Sequence, residues 1–321
     1  MSTTTTTITA PTTPTSLIVA STKATVGEHL CRVIAPIALQ AVQQRGRFSL
    51  ALSGGSLPGF LAALPQAFSD HQDARFDTWH IVLADERCVP SDHADSNLGA
   101  LKTTLLSQIP QIPAGQIYGI DETLLSQDSA HAIAVDYNAR LVQALGGGGG
   151  GNTPVVVFLD LAVLGFGPDG HTCSLFPNHA LVTAPPPPPP SLTTLVAAIE
   201  DSPKPPPNRI TLTLSMLNSH TRHVIFCGAG ASKSPILRAV FDKVIPKRDE
   251  STTSSTTAQS YHVQMAQPTT ALPCGMVAPN TTNSDDDDHQ NTVTWVVDAA
   301  AMEGVDITAA TNANASSSSS S

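Results

Sequence analysis

The chain has no cluster of lysines and arginines, no CxxC pair, no HxxxH or HxH pair, no GxSxG turn and no apolar run of bilayer length. Each absence excludes something. Without a basic patch, and with a formal net charge of -10 and a pI near 5.4, the chain cannot neutralise a line of phosphates, so nucleic acid is not an expected partner. The five cysteines, Cys31, Cys88, Cys173, Cys227 and Cys274, are odd in number and scattered, which suits a reducing compartment and argues against structural zinc. No paired histidines suggest a catalytic metal, and none is expected. No serine sits in a nucleophile elbow and no cysteine has an obvious histidine partner, so covalent catalysis has weak support. The N-terminus carries no basic-plus-apolar signal, and the Thr-rich start holds no arginine before Arg32. A soluble cytoplasmic protein, with no membrane association, is the expectation.

What is present is alternation. Apolar segments SLIVA, RFSLAL, WHIVLAD and VVVFLDLAVLGFG are separated by helix-period segments over Ala24 to Gln44, from Leu57 and from Ser96. LVAAI, RITLTLSML, RHVIFCGAG, a helix after Ser232, and TVTWVVDAAAM follow. Repeated βα alternation predicts an α/β fold: a single doubly wound, mostly parallel sheet with helices on both faces. One catalytic domain over residues 17–305 accounts for these segments. The Thr-rich residues 1–16 and Ser-rich residues 306–321 read as disordered tails. Low-complexity insertions are expected near 146–153 (polyglycine), 185–190 (polyproline) and 247–291 (polar, Ser/Thr/Asp-rich), although YHVQMAQPTTALPCGMVAP inside the last could be ordered. The DDDD run at 285–288 reads as a solvated loop.

Five places suit chemistry. The run from Val155 to Leu164 ends in GFGPDGH, which sets Asp169 and His171 two residues apart where a buried parallel strand meets its ligand crevice. His171 is the side chain whose proton exchange works near neutral pH. Ser53, Gly54, Gly55 and Ser56 follow a strand and open a helix, a turn that presents backbone N–H groups to a phosphate. Asp85, Glu86 and Arg87 follow the third strand directly; three charges there belong in an open crevice or paired with one another. Arg87 suits a phosphate or carboxylate, and Asp85 a neighbouring histidine or a hydroxyl. Lys204 and Arg209, separated by three prolines and an asparagine, and Lys233 after the GAG turn, are cations suited to a fixed anion. Together they imply a small phosphorylated substrate beside Asp169 and His171.

The motifs LALSGGS, ADERCVPSDHADSN, LGFGPDGHTCSLFP, DSPKPPPNRITLTL and LPCGMVAP…TVTWVVDAAA, in that order, resemble the 6-phosphogluconolactonase family of the oxidative pentose phosphate pathway. The resemblance implies a fold like the glucosamine-6-phosphate isomerase and ribose-5-phosphate isomerase group. It implies hydrolysis of 6-phosphogluconolactone, a phosphorylated sugar lactone, without a cofactor. His171, oriented by Asp169 or by Asp85, would deprotonate a water, glycine-loop N–H groups would stabilise the oxyanion, and Ser53 to Ser56, Arg209 and Lys233 would hold the phosphate. Arg87 and Lys204 would share that work or contact sugar hydroxyls. An amino-sugar-phosphate isomerase or deaminase, and a non-catalytic sugar-phosphate binder, are the alternatives on the same fold.

Overall fold

The computed structural model describes residues 13–127, 129–147, 156–184, 195–247, 258–280 and 291–308. The polyproline tract, most of the polyglycine tract and the DDDD run lie outside these residues.

Runs of β-branched and aliphatic residues form the strands, and amphipathic stretches form the helices between them. In chain order the strands are β1 (Thr15–Ala20), β2 (Phe48–Leu52), β3 (Trp79–Leu83), β4 (Asp85–Arg87), β5 (Ile117–Tyr118), β6 (Gly146–Gly147), β7 (Val156–Val157), β8 (Leu159–Gly165), β9 (Val196–Ile199), β10 (Arg209–Leu212), β11 (Thr221–Gly228), β12 (Phe241–Pro246), β13 (Ala258–Met265) and β14 (Thr292–Asp298). The helices are α1 (Lys23–Arg45), α2 (Leu57–Phe60), α3 (Leu64–Ala67), α4 (Asn97–Thr104), α5 (Ala130–Leu145), α6 (Ala180–Thr183), α7 (Leu214–Ser219) and α8 (Ser234–Val240). Gly46, in the left-handed region at φ 69°, stops α1.

Nine strands make the main sheet in the order β12-β13-β1-β14-β11-β8-β2-β3-β5. From β1 to β5 across the sheet all neighbours are parallel; β13 and β12 add an antiparallel edge. The expected mostly parallel α/β sheet is therefore present. Every residue of β2 and all but the last of β8 are buried. Since successive side chains point to opposite faces, those central strands are covered on both sides, one cover being α1, which packs against β1, β2, β8, β11 and β14.

The chain runs outward from β2 through β3 to β5, then returns beside β2 as β8 and continues the other way through β11 to β14. The crevice at that reversal, at the carboxyl ends of β2 and β8, is where open α/β sheets bind ligands.

Four expectations need correction. The segments LVAAI and RITLTL do not join the main sheet: β9 and β10 form a separate antiparallel sheet with β4. That follows from Asp85–Arg87, which leave the main sheet to pair with Thr211–Arg209. Helix α5, absent from the sequence reading, packs its buried Ile133, Tyr137 and Leu141 face onto this small sheet and the core. The polar region 247–291 contains β13, paired with β1 over Ala258–Val263 and with Tyr261, Val263 and Met265 buried, so the YHVQM segment that could be ordered is core and the insertion is shorter than 247–291. The ordered chain also passes the expected ends, since Thr15 starts β1 and Ile307 bridges to Val244. Among the described residues no helix is long and apolar enough to cross a membrane, and all five cysteines are free thiols.

Candidate active site

A cleft of about 230 Å³ opens at the reversal point. Its walls are supplied by the Ser53–Ser56 turn after β2, Asp85, Arg87 and Asn97 from β4 and the start of α4, the loop from Gly165 to Cys173 after β8, Arg209 of β10, and Lys233 before α8. Sequence-distant segments thus converge on one place. A larger hollow of about 420 Å³ lies against α1, lined by Arg32, Pro36 and His71 among others, well apart from this chemistry.

The loop after β8 is shaped by its own bonds. Gly167 N donates to His171 O at 2.8 Å and Gly170 N to Gly167 O at 3.1 Å. A side chain at Gly167 would overlap both His171 and Asp169, so glycine there lets the two close over the turn. Asp169 Oδ1 meets His171 Nδ1 directly. Lys204 Nζ bonds Asp169 Oδ2 at 2.9 Å and lies 3.1 Å from His171 Nδ1. A carboxylate facing Nδ1 requires a proton there, which leaves the lone pair on Nε2. Burial pulls the Asp169 carboxyl up, but the hydrogen bonds and charges of His171 and Lys204 outweigh it and hold the group well below the usual carboxylate range. Burial, joined by the Lys204 charge, lowers the His171 pKa against the opposing influence of Asp169 and Asp85. The imidazole is therefore held neutral, with Nε2 free to act as a base, at neutral pH.

This geometry answers which acid orients His171. Asp169 does; Asp85 does not. Asp85 is 5 % exposed, its Oδ2 accepts from Ser174 Oγ at 2.7 Å and its Oδ1 lies 3.4 Å from Asn97 Nδ2. The expectation that Asp85, Glu86 and Arg87 lie in the crevice or pair with one another is overturned for Glu86, while Asp85 and Arg87 do line the cleft. Glu86, 1 % exposed, accepts from the backbone of Arg87, Asn97 and Leu98, each at 2.8 Å, and from Ser96 Oγ at 3.1 Å. It caps the start of α4, where a carboxylate meets unpaired N–H groups and the positive end of the helix. Arg87 remains at the cleft, one N–H of its guanidinium donating to Asp95 O at 2.8 Å.

Two cations differ from expectation. Lys204, expected at a phosphate, is paired with Asp169 and is not among the cleft's lining residues. Arg209 lines the cleft but is heavily engaged: Nε donates to Pro206 O at 3.0 Å, Nη2 to Lys204 O at 2.8 Å and Pro205 O at 3.1 Å, and Nη1 to Ser174 Oγ at 3.3 Å. Its fork chiefly braces the proline turn. Lys233 does reach the cleft, donating to Phe166 O and lying 5.0 Å above the Phe166 ring; burial first, then Lys204, lowers its pKa.

The Ser53–Ser56 turn has the features of an anion cradle. Ser53 Oγ is buried without a hydrogen-bond partner among the described residues, and Gly55 adopts φ 67°, which turns successive N–H groups to one side. Sequence reasoning missed Asn97 and Ser174, which tie Asp85 into place; their only signal was position, near a helix start and after the catalytic loop. The amides of Gly167 and Gly170, candidates for an oxyanion site, are bonded within their own loop. No group of three His, Cys, Asp or Glu side chains able to hold a metal occurs among the described residues.

The family profile described as glucosamine-6-phosphate isomerases/6-phosphogluconolactonase matches residues 21–272. The chain belongs to this family. Among its relatives, the rat 6-phosphogluconolactonase is 41 % identical over 67 % of this chain and 77 % of its own length. The human 6-phosphogluconolactonase is 42 % identical over 62 % of this chain and 70 % of its own. Among solved structures, 6-phosphogluconolactonase from Trypanosoma brucei superposes with a TM-score of 0.64 at 22 % identity, covering 92 % of this chain and all of the other. A monomeric glucosamine-6-phosphate deaminase gives 0.54 at 17 % identity over 89 % of this chain and 98 % of its own. Those two likenesses establish the family's fold for this chain.

Proposed function

We propose that this chain hydrolyses 6-phospho-D-glucono-1,5-lactone to 6-phospho-D-gluconate, the second step of the oxidative pentose phosphate pathway, in the cytoplasm. The observation that carries the reading is the His171–Asp169 pair at a cleft that a Ser-Gly turn also lines. Relatives about 40 % identical that are named 6-phosphogluconolactonase support it.

His171 Nε2 takes a proton from a water as the water oxygen bonds to the lactone carbonyl carbon. The carbonyl oxygen becomes an alkoxide, next to which Arg87 supplies positive charge from the cleft wall. When the carbonyl re-forms, the bond to the ring oxygen breaks and that oxygen takes the proton from the His171 imidazolium. The products are a carboxylic acid, ionised at neutral pH, and the freed hydroxyl. Asp169 stabilises the transient imidazolium and keeps the proton on Nδ1. Base assistance of this kind contributes roughly 10²–10⁴-fold. The phosphate binds the Ser53–Ser56 turn and Lys233, with one remaining N–H of Arg209 in reach, and this remote binding orients the ring.

The test follows the loss of freshly made lactone above its spontaneous rate for the wild type and His171→Ala. Loss of most of the catalysed rate in the variant is expected. Equal rates would overturn the general-base assignment.

A further inference from the structure

We propose that Lys204 is a positioning residue for the His171–Asp169 pair and not a ligand of the substrate phosphate, an inference that rests on the lactonase reading. Its ammonium lies 2.9 Å from Asp169 Oδ2 and 3.1 Å from His171 Nδ1. With the Nδ1 proton directed to Asp169 Oδ1, Lys204 fixes the other carboxylate oxygen, so the carboxylate cannot swing away from the ring. A cation beside the imidazole also disfavours a second proton on it, which keeps Nε2 a base.

The mounting of Lys204 matches that task. Arg209 holds the carbonyls of Lys204, Pro205 and Pro206 from inside. Ser202 Oγ donates to Lys204 O at 2.8 Å and accepts from Lys204 N at 3.2 Å. From outside, His179 Nε2 bonds Asp201 at 3.1 Å while its Nδ1 accepts from Leu181 N at 3.2 Å. That acceptor role puts the His179 proton on Nε2, so a neutral histidine ties the segment after the catalytic loop to the turn that carries Lys204. Phosphate capture asks for a cation free to face the cleft; Lys233 lines it, whereas the Lys204 ammonium is already held against Asp169 and His171.

The charges bearing on His171 come from several elements: Asp169 in its own loop, Lys204 from the turn between β9 and β10, and Asp85 from β4. Lys233, at the approach to α8, bears on Lys204 and Asp169. Lys204 is the cation of this set that touches the pair.

The experiment measures kcat/KM of the full-length Lys204→Met protein from about pH 5 to 7.5, the range in which histidine titrates, with the spontaneous rate subtracted. Two substrates are used, 6-phosphogluconolactone and glucono-1,5-lactone without the phosphate. The acidic limb is expected to move up by about one pH unit with both, so that rates on its acid side fall about tenfold. Lys204→Arg, which keeps the charge, should leave the limb near that of the wild type. An unmoved limb with a raised KM for the phosphorylated lactone alone would make Lys204 a substrate ligand and overturn the proposal. An unmoved limb with equal loss at every pH for both lactones would mark a merely structural lysine and overturn it too. Lys204→Gln carries the same expectation if the methionine variant unfolds. Should the wild type hydrolyse neither lactone, the lactonase reading fails by itself. Nitrogen-15 NMR of His171 then decides the matter: a higher titration midpoint in Lys204→Met than in wild type supports the positioning role, and an unchanged one ends it.

Discussion

The Ser174 hydroxyl donates to Asp85 Oδ2 at 2.7 Å and receives from Arg209 Nη1 at 3.3 Å. One buried serine therefore joins the loop that carries His171 to the small sheet that carries Asp85 and Arg209. Ser174→Ala would leave a buried carboxylate oxygen and a guanidinium N–H without their partner. The expected cost is about 1–3 kcal/mol of folding stability, read as a lower urea midpoint with an unchanged slope. An unchanged midpoint would show the bridge to be energetically idle.

Asp169→Asn keeps the size of the side chain but can present its amide N–H to Nδ1, which favours the tautomer with the proton on Nε2. The lone pair needed for base catalysis is then lost. We expect kcat to fall on the order of 10²–10⁴-fold with KM little altered, because both carboxylate oxygens of Asp169 are taken up by His171 and Lys204. Steady-state kinetics check this, and a variant that changes KM alone would contradict it.

Gly54 lies against Asn97, and a methyl group there would overlap the Asn97 side-chain amide. Gly54→Ala must push Asn97 aside, which opens its bonds to Asp85 and disturbs the Ser53–Ser56 turn, the proposed phosphate site. The measurement is KM for the phosphorylated lactone against that for glucono-1,5-lactone. The first should rise several-fold more than the second; parallel changes would place the phosphate elsewhere.

Cys173 and Cys227 line the cleft, yet burial pushes both thiols well above their ordinary range. Thiolate is the reactive form. Iodoacetamide at neutral pH should therefore leave activity intact over a period that fully labels an exposed cysteine, as mass spectrometry of the two peptides would check.

Much of the fold could be read from apolar runs: SLIVA, RFSLAL, WHIVL and LDLAVLG correspond to β1, β2, β3 and β8. Ala24 to Gln44 falls within α1. The strand pattern could not say which sheet a strand joins, so β9 and β10 were expected in the wrong one; that choice depends on the antiparallel pairing of Thr211 with Asp85. Strand β13 was masked by the polar composition around it, because only its alternate residues Tyr261, Val263 and Met265 face inward. At the site, the GxGxDxH spacing marked Asp169 and His171 but left open whether Asp169 or Asp85 meets the ring, because residues two apart in a tight loop can point in different directions. Lys204, Arg209 and Asp85 were assigned by charge alone. Lys204 and Asp85 find partners in other segments and Arg209 chiefly in its own proline turn, and no local pattern reports whether a cation will meet a ligand, a backbone carbonyl or a carboxylate.

Strand β1 lies between β13 and β14, with Thr15 opposite Val263 on one side and Val293 on the other. A ribosome releases the chain in one direction, so the first strand leaves the exit tunnel long before either neighbour exists. The nascent protein must wait with Leu17 and Val19 unpaired until β13 and β14 have been made. Pairing between segments so far apart in sequence makes folding slow and gives premature termination a definite cost: a product that stops before Thr292 keeps every residue of the cleft and still lacks a strand on which β1 depends.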